Sequence, residues 1–171
     1  MKFLSLRRLG WLISLLLVCA VASAAQVVDS VNVHYRNPDN FTEMKRSFGM
    51  NRVDTNAYLV PLKRHIEQRA ARILTPGERL DIEVTDVDRA GEYEPWRGPD
   101  FNRVRIIKDV YPPRIDLNFT LYGADGKVLR QGSRSLRDLS FLDRMGASAQ
   151  DPLRYEKSLI DRWLRNGPDQ L

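Results

Sequence analysis

Six carboxylate side chains lie within one short stretch of the sequence and are the first candidates for chemistry. They are Asp81, Glu83, Asp86, Asp88, Glu92 and Glu94, and Arg89 is the only basic residue among them. Paired carboxylates can perform general acid and base catalysis when their environments separate their pKa values. The alternative is a charge ladder, in which the acids on one strand pair with the arginines at 103, 105 and 114 on neighbouring strands. The ladder is the favoured interpretation, ahead of a recognition surface and of catalysis, so no catalytic residue is assigned.

The segment that begins at Asp86 also has the opening pattern of a calcium-binding loop, with Asp88 at its third position and Gly91 at its sixth. Such a loop needs further oxygen ligands at its fifth position and a bidentate glutamate at its twelfth. These positions hold Ala90 and Arg97, and the segment has neither the cysteine nor the histidine that zinc prefers. The sequence therefore predicts no metal site and no cofactor. A weak magnesium or calcium site completed by water is the alternative.

Signatures of other enzyme classes are missing from the sequence. It contains no Gly-x-Ser-x-Gly nucleophile motif and no glycine-rich phosphate loop. Its one cysteine, Cys19, excludes an intramolecular disulfide framework. The two histidines, His34 and His65, carry no local triad signature and are predicted to have structural roles. Aromatic residues do not alternate with basic ones as they do on a nucleic-acid stacking surface, so no nucleic-acid partner is expected.

The N-terminal segment has the three parts of a secretory signal peptide. Its positive residues are Lys2, Arg7 and Arg8. An apolar run over 9–22 follows, and the small residues at 22–24 form a peptidase site. We therefore expect residues 1–24 to be cleaved in the periplasm, leaving 25–171 as a single domain with no integral membrane span. The apolar run is shorter than the about 20 residues that a spanning helix needs. An uncleaved N-terminal membrane anchor is the alternative.

Cleavage would also change the charge balance. The full chain holds 27 Lys and Arg against 22 Asp and Glu, and three of the bases lie in the signal peptide. The small remaining excess gives little support for a nucleic-acid partner. Because 43% of the residues are hydrophobic and 29% are charged, the composition is that of a packed globular protein. Without a cysteine the mature chain must be stabilised by its core alone.

Hydrophobic periodicity predicts the element order β-α-β-β-β-β-α. Strands are predicted at 30–35, 80–85, 103–106, 115–121 and 128–136, with helices at 61–75 and 151–166. Strict alternation is typical of antiparallel strands with one solvent-exposed face. The dipeptide at 125–126, Asp-Gly, predicts a tight hairpin turn. The expected fold is a single α+β domain, with an antiparallel or mixed sheet and two helices on one face.

Both predicted helices have terminal signals. The apolar stripe of the first predicted helix is expected to pack on the sheet. The basic face of the same helix, over 59–74, could instead bind a membrane surface, which is the alternative. Proline is tolerated only in the first turn of a helix, so this helix is predicted to begin close to Pro61. Asp151 is the predicted N-cap of the second helix, and Pro152 suits its first position.

Four segments together resemble a family of exported bacterial proteins, the domain-of-unknown-function family DUF3016. They are NPDNFT at 37–42, VTDVDRAGE at 84–92, RIIKDVYPPRI at 105–115 and YEKSLIDRW at 155–163. The resemblance covers nearly the whole chain after the signal peptide and implies export and one domain. It implies no activity and no catalytic residue. Arg89 departs from the pattern, which implies an apolar residue there. The element order is also similar to small envelope-assembly factors, an analogy of fold that assigns no function.

The sequence thus favours an exported periplasmic protein that acts as a non-enzymatic binding or envelope-maintenance module. Its partner would be an envelope protein or a ligand. The candidate binding residues are Asp86, Asp88, Gly91, Glu92, Arg105 and Arg114. One alternative is an enzyme that uses the carboxylates of the segment 86–92, and another is a membrane-surface binder that uses the first helix.

Overall fold

A computed structural model describes residues 30–47, 55–143 and 150–171, so the predicted signal peptide lies outside the described residues. Four strands form the main sheet: β1 (Val31–Tyr35), β2 (Arg79–Asp88), β5 (Arg114–Tyr122) and β6 (Val128–Arg137). Their order is β1-β2-β5-β6. β1 runs parallel to β2 and the other pairs are antiparallel, so the predicted mixed sheet is confirmed.

Three α-helices and a second, smaller sheet complete the described fold. The helices are α1 (Thr42–Ser47), α2 (Thr55–Ala70) and α3 (Arg154–Trp163). The small sheet pairs β3 (Glu92–Tyr93) with β4 (Arg105–Ile106). The chain is an α+β protein, as its periodicity predicts.

The core lies between one face of the main sheet and the two longer helices. Buried and partly exposed residues alternate along the whole of β5, and the buried ones are Ile115, Leu117, Phe119 and Leu121. α2 covers this face with Leu59, Leu62, Ile66 and Ala70, and α3 with Leu159, Ile160 and Trp163. Since both helices contribute to the same buried cluster, they lie on one face, as predicted. The opposite face carries the polar residues that alternate with the buried ones on β1, β2 and β5.

The alternation of β2 is inverted by a bulge between Val84 and Asp86. Before the bulge the odd-numbered residues face away from the helices, and after it the even-numbered ones do. One extra residue in a strand has this effect because side chains alternate with a period of two. The bulge therefore places Asp86 on the same polar face as Glu83.

The strand predicted at 103–106 is not part of the main sheet. Only Arg105 and Ile106 form a strand, and they pair with β3 instead of β2 or β5. The expectation that this segment supplies a strand of the main sheet is corrected accordingly. Arg105 is largely buried against Glu43 of α1, and this contact holds the segment beside that helix and away from the main sheet. α1 and β3 were not predicted, because six and two residues are too short for a periodic signal.

Both helix starts also differ from the prediction. α2 begins at Thr55, so Pro61 lies inside it and not in its first turn. Burial of Tyr58 and Leu59 in the core stabilises the extra turn before the proline. α3 begins at Arg154 with Leu153 at the N-cap position. Asp151 instead accepts a hydrogen bond from the Leu153 N–H at 2.9 Å, which closes a turn just before the helix.

Candidate functional site

A cleft of about 330 Å³ opens on the polar face of the sheet, where β2 ends and β5 begins. Its polar lining residues are Thr42, Arg46, Asp88, Tyr111, Arg114 and Arg137, and its apolar ones are Val110 and Pro112. The volume lies near the lower end of the usual range of ligand pockets, about 300–1,000 Å³. The cleft is therefore large enough for a small molecule or for a side chain of a partner.

Three of the lining residues form a row across three strands. Asp88 on β2 lies opposite Arg114 on β5, and Arg114 lies opposite Arg137 on β6. The register of the sheet thus sets two arginines side by side, and adjacent strands are only about 4.8 Å apart. Like charges at directly opposite positions destabilise a sheet unless other groups compensate for them.

Arg114 is compensated by carboxylates. Its Nη2 donates to Asp86 at 2.5 Å, and its Nη1 lies 3.3 Å from Asp116. Asp86 also accepts hydrogen bonds of 2.6 Å from both the backbone N–H and the hydroxyl of Thr42. Asp86 therefore fixes the start of α1 and the guanidinium of Arg114 at the same time.

Arg46 of α1 is held in a similar way. Its Nη1 lies 3.0 Å from Asp88 and 3.1 Å from Glu92. Burial raises the pKa of Asp88, although the charges of Arg46 and Arg114 act in the opposite direction. A carboxyl group whose pKa is shifted in this way, at the edge of a cleft, is a candidate functional residue.

Arg137 has an exposed side chain, and its guanidinium makes no ion pair with any of the described residues. It is thus the cationic group of the cleft that the described part of the chain leaves uncompensated. Its position at the end of an edge strand makes it accessible to a partner.

A buried polar cluster supports the cleft from behind. Glu43 pairs with Arg105, and its other oxygen accepts the Arg89 N–H at 3.2 Å. Arg105 also donates to the carbonyl oxygen of Gly91 at 2.9 Å. The Gly91 N–H donates to the carbonyl oxygen of Tyr111 at 3.0 Å, so the turn at 89–91 is tied to a wall of the cleft.

Glu156 of α3 contacts the same turn. Its side chain is buried and accepts the Ala90 N–H at 2.8 Å. Burial raises the pKa of Glu156, while the Ala90 hydrogen bond and the charge of Arg89 lower it in part. The side chain of Arg89 lies over the ring of Tyr58 and donates to the Pro152 carbonyl. An arginine thus takes the place of the apolar residue that the resemblance implies, and it connects α2 with the segment before α3.

The structure brings the six sequence-predicted residues to one end of the molecule. Asp88 and Arg114 line the cleft, and Asp86 and Glu92 hold its arginines. Gly91 and Arg105 lie behind the cleft. Sequence reasoning missed Thr42, Arg46, Arg137, Glu43 and Glu156. The hairpin turn at Asp125-Gly126 is found as predicted, but it could not reveal Arg137, because a bulge at 121–122 shifts the register of β6 against β5 by one residue.

The predicted charge ladder is present in part. Arg114 pairs with Asp86 across β2 and β5, as expected. Glu83 pairs instead with Arg36, whose Nε donates to it at 2.7 Å, and it also accepts from Asn118 at 2.9 Å. These hydrogen bonds lower the pKa of Glu83 to about 2. Arg105 does not take part in the ladder because it is paired with Glu43.

The two histidines have polar partners. His65 lies 2.8 Å from Asp161, which connects α2 with α3. His34 is exposed and lies 3.5 Å from Glu83. Within 30–47, 55–143 and 150–171, no group of three or more His, Cys, Asp or Glu side chains is arranged to hold a metal ion. No helix in these ranges is both long and apolar enough to cross a membrane.

Comparison with known proteins bears on the chain as a whole. The model of one family, described as "Protein of unknown function (DUF3016)", matches residues 29–166. No curated protein and no solved structure matches the chain. The matched range contains all six strands, the three helices and every residue of the cleft. The family model covers most of the chain, and the protein therefore belongs to the DUF3016 family.

Proposed function

We propose that this protein is exported to the periplasm and acts there as a non-enzymatic binding module, with the cleft between α1, β2, β5 and β6 as its binding site. The N-terminal pattern of positive, apolar and small residues supports export. The observation that carries the binding role is the cross-strand pair Arg114 and Arg137, which face one cleft: Arg114 contacts two carboxylates, whereas Arg137 has no carboxylate partner among the described residues. A binding partner would supply the missing interaction.

Export is tested by the mass of the mature protein. The periplasmic fraction should contain a chain that begins at Ala25 or Gln26. Recovery of the full-length mass from the membrane fraction would support the uncleaved anchor instead.

Binding is tested by photo-crosslinking in intact cells. Val110 lines the cleft and is 65% exposed, so a photoreactive residue at this position contacts whatever occupies the cleft. Val128, which is 50% exposed at the hairpin end of β6, is the matched control. We expect a discrete mass increase from position 110 and none from position 128. Equal labelling at both positions, or no labelling at 110, would contradict the proposal.

A second candidate function rests on the environment of Asp88. A partly buried carboxyl with a raised pKa, next to Arg46 and Arg114, is suited to proton transfer. The enzymatic alternative predicts an activity on a substrate panel that Asp88→Asn abolishes while the fold is retained. The binding role predicts no turnover and an Asp88→Asn variant that still gives the crosslink at position 110.

A further inference from the structure

We propose that the group bound in the cleft is a single carboxylate, received by Arg137 with Arg114 beside it. This inference rests on the proposed binding function and specifies the chemistry of the ligand. A guanidinium binds a carboxylate through two parallel N–H···O hydrogen bonds, which fixes the orientation of the bound group.

The charges on the cleft wall favour an anion. Among the described residues that line the cavity, three are arginines and one, Asp88, is a carboxylate that pairs with Arg46 at 3.0 Å. The carboxylates of Asp86, Glu92 and Asp116 contact Arg46 and Arg114 but are not among the lining residues. They position Arg46 and Arg114 from outside the cavity, so that guanidiniums outnumber the lining carboxylate of Asp88 on the described surface that a ligand meets.

The same carboxylates limit the charge that the cleft can accept. Arg46 and Arg114 each contact two carboxylates, so most of their positive charge is compensated. Arg137 alone contributes an uncompensated positive charge among the described residues of the cleft. One free guanidinium matches a group with one negative charge, and a phosphate dianion would face the nearby acids without a second free cation.

The size of the cleft agrees with a small group or a side chain. A water molecule occupies about 30 Å³ in the liquid, so the volume of about 330 Å³ accommodates a carboxylate and on the order of ten further non-hydrogen atoms. Val110 and Pro112 provide an apolar edge on which those atoms can pack. The carboxylate can come from a free small acid or from the terminus or side chain of a protein.

The test is an NMR titration of the purified mature protein that follows the arginine Nε–Hε signals. The probes are acetate, inorganic phosphate, and an acetylated dipeptide with either a free C-terminal carboxylate or an amide. We expect acetate and the free dipeptide to shift the Arg137 signal in a saturable way, and the amide to cause no shift. If the dipeptide binds at least tenfold more tightly than acetate, the carboxylate comes from a protein chain. If the two probes bind equally tightly, the carboxylate comes from a small acid.

The matched variants are Arg137→Gln and Arg130→Gln, both on exposed positions of β6. Arg137→Gln should weaken carboxylate binding at least tenfold, and Arg130→Gln less than twofold. Phosphate binding more tightly than acetate, or equal effects of the two variants, would overturn the inference.

Crosslinking from position 110 distinguishes failure of the carboxylate inference from failure of the proposed binding function. Labelling that persists unchanged in Arg137→Gln retains the binding role and rejects the carboxylate, whereas the loss of all labelling in the wild type rejects the binding role.

Discussion

Glu43 and Arg105 form an ion pair that is enclosed by the protein, with only 1% and 15% of the two side chains exposed. The pair connects α1, which supplies Thr42 and Arg46 to the cleft, with the small sheet behind it. Removal of one partner from a buried pair leaves the other charge without compensation. The rigidity of the cleft therefore depends on a contact that lies outside it.

Arg105→Ala should lower the free energy of unfolding by about 3–5 kcal/mol, because the buried carboxylate of Glu43 would lose the guanidinium that compensates its charge. Urea denaturation measures this change. Arg130→Ala removes an exposed arginine and should change the stability by less than about 0.5 kcal/mol. Equal losses in the two variants would show that the pair is not structurally important.

Gly91→Ala should destabilise the protein more than Gly126→Ala. Both glycines have a positive φ, of 83° and 77°, and so both substitutions incur the cost of about 1–2 kcal/mol for a left-handed conformation. A Cβ on Gly91 would lie 2.5 Å from the Cδ1 of Ile107, whereas one on Gly126 has no atom within 4 Å. Overpacking should add about 1–3 kcal/mol at Gly91 only. Thermal unfolding of both variants tests the difference, and equal shifts would contradict it.

Glu156→Gln should change how stability depends on pH. Burial raises the pKa of Glu156 in the folded protein, so the contribution of this group to stability is fully present below the ordinary value of 4.5 and is lost as the pH rises through the folded-state pKa. Glutamine does not titrate, and it can still accept the Ala90 N–H. The stability of the variant relative to the wild type should therefore increase above pH 4.5. Urea denaturation at a series of pH values measures the difference.

Phe119→Ala should cost about 3–5 kcal/mol, because Phe119 is buried and packs against Trp163 at a ring distance of 5.9 Å. Asn118→Ala affects the polar face, where Asn118 bonds Glu83 and Ser133, and should cost about 1 kcal/mol. Thermal shifts of equal size would contradict the assignment of the two faces.

Calcium, magnesium and zinc should not bind the chelator-treated mature protein more tightly than millimolar. Arginines contact Asp86, Asp88 and Glu92, so a metal ion would have to displace an existing ion pair at each of them. Calorimetric titration measures the dissociation constant of each metal ion. A micromolar site that Asp88→Asn removes would contradict the expectation and would favour the enzymatic alternative.

Much of the main sheet could be predicted because its signals are local. The alternation over 115–121 and the Asp-Gly turn indicate β5, β6 and their antiparallel pairing without knowledge of the rest of the fold, whereas the bulge at 121–122, which sets their register, could not be predicted from them. The bulge in β2 could not be predicted, since nothing in the period-two pattern marks the extra residue. β4 was wrongly assigned to the main sheet because alternation does not reveal which strand a segment pairs with.

The candidate site was predictable only where its residues are close together in the sequence. Its acidic half lies in one contiguous segment, so composition alone drew attention to Asp86 and Asp88. Its basic half comes from α1, β5 and β6, which only the tertiary structure brings together. Arg46 lies on a helix too short for a periodic signal, and Glu156 belongs to a helix whose apolar stripe gives no hint of a buried carboxyl.

The parallel pairing of β1 and β2 has a consequence for the order in which the protein folds. Val31 lies opposite Leu80, with α1 and α2 between them in the chain, whereas a tight turn joins β5 to β6. Contacts between distant residues form late because the intervening chain must first be ordered. During synthesis β1 emerges first and has no partner until β2 has followed it. We therefore expect the sheet to grow from its C-terminal hairpin, with the earliest-made strand the last to be incorporated.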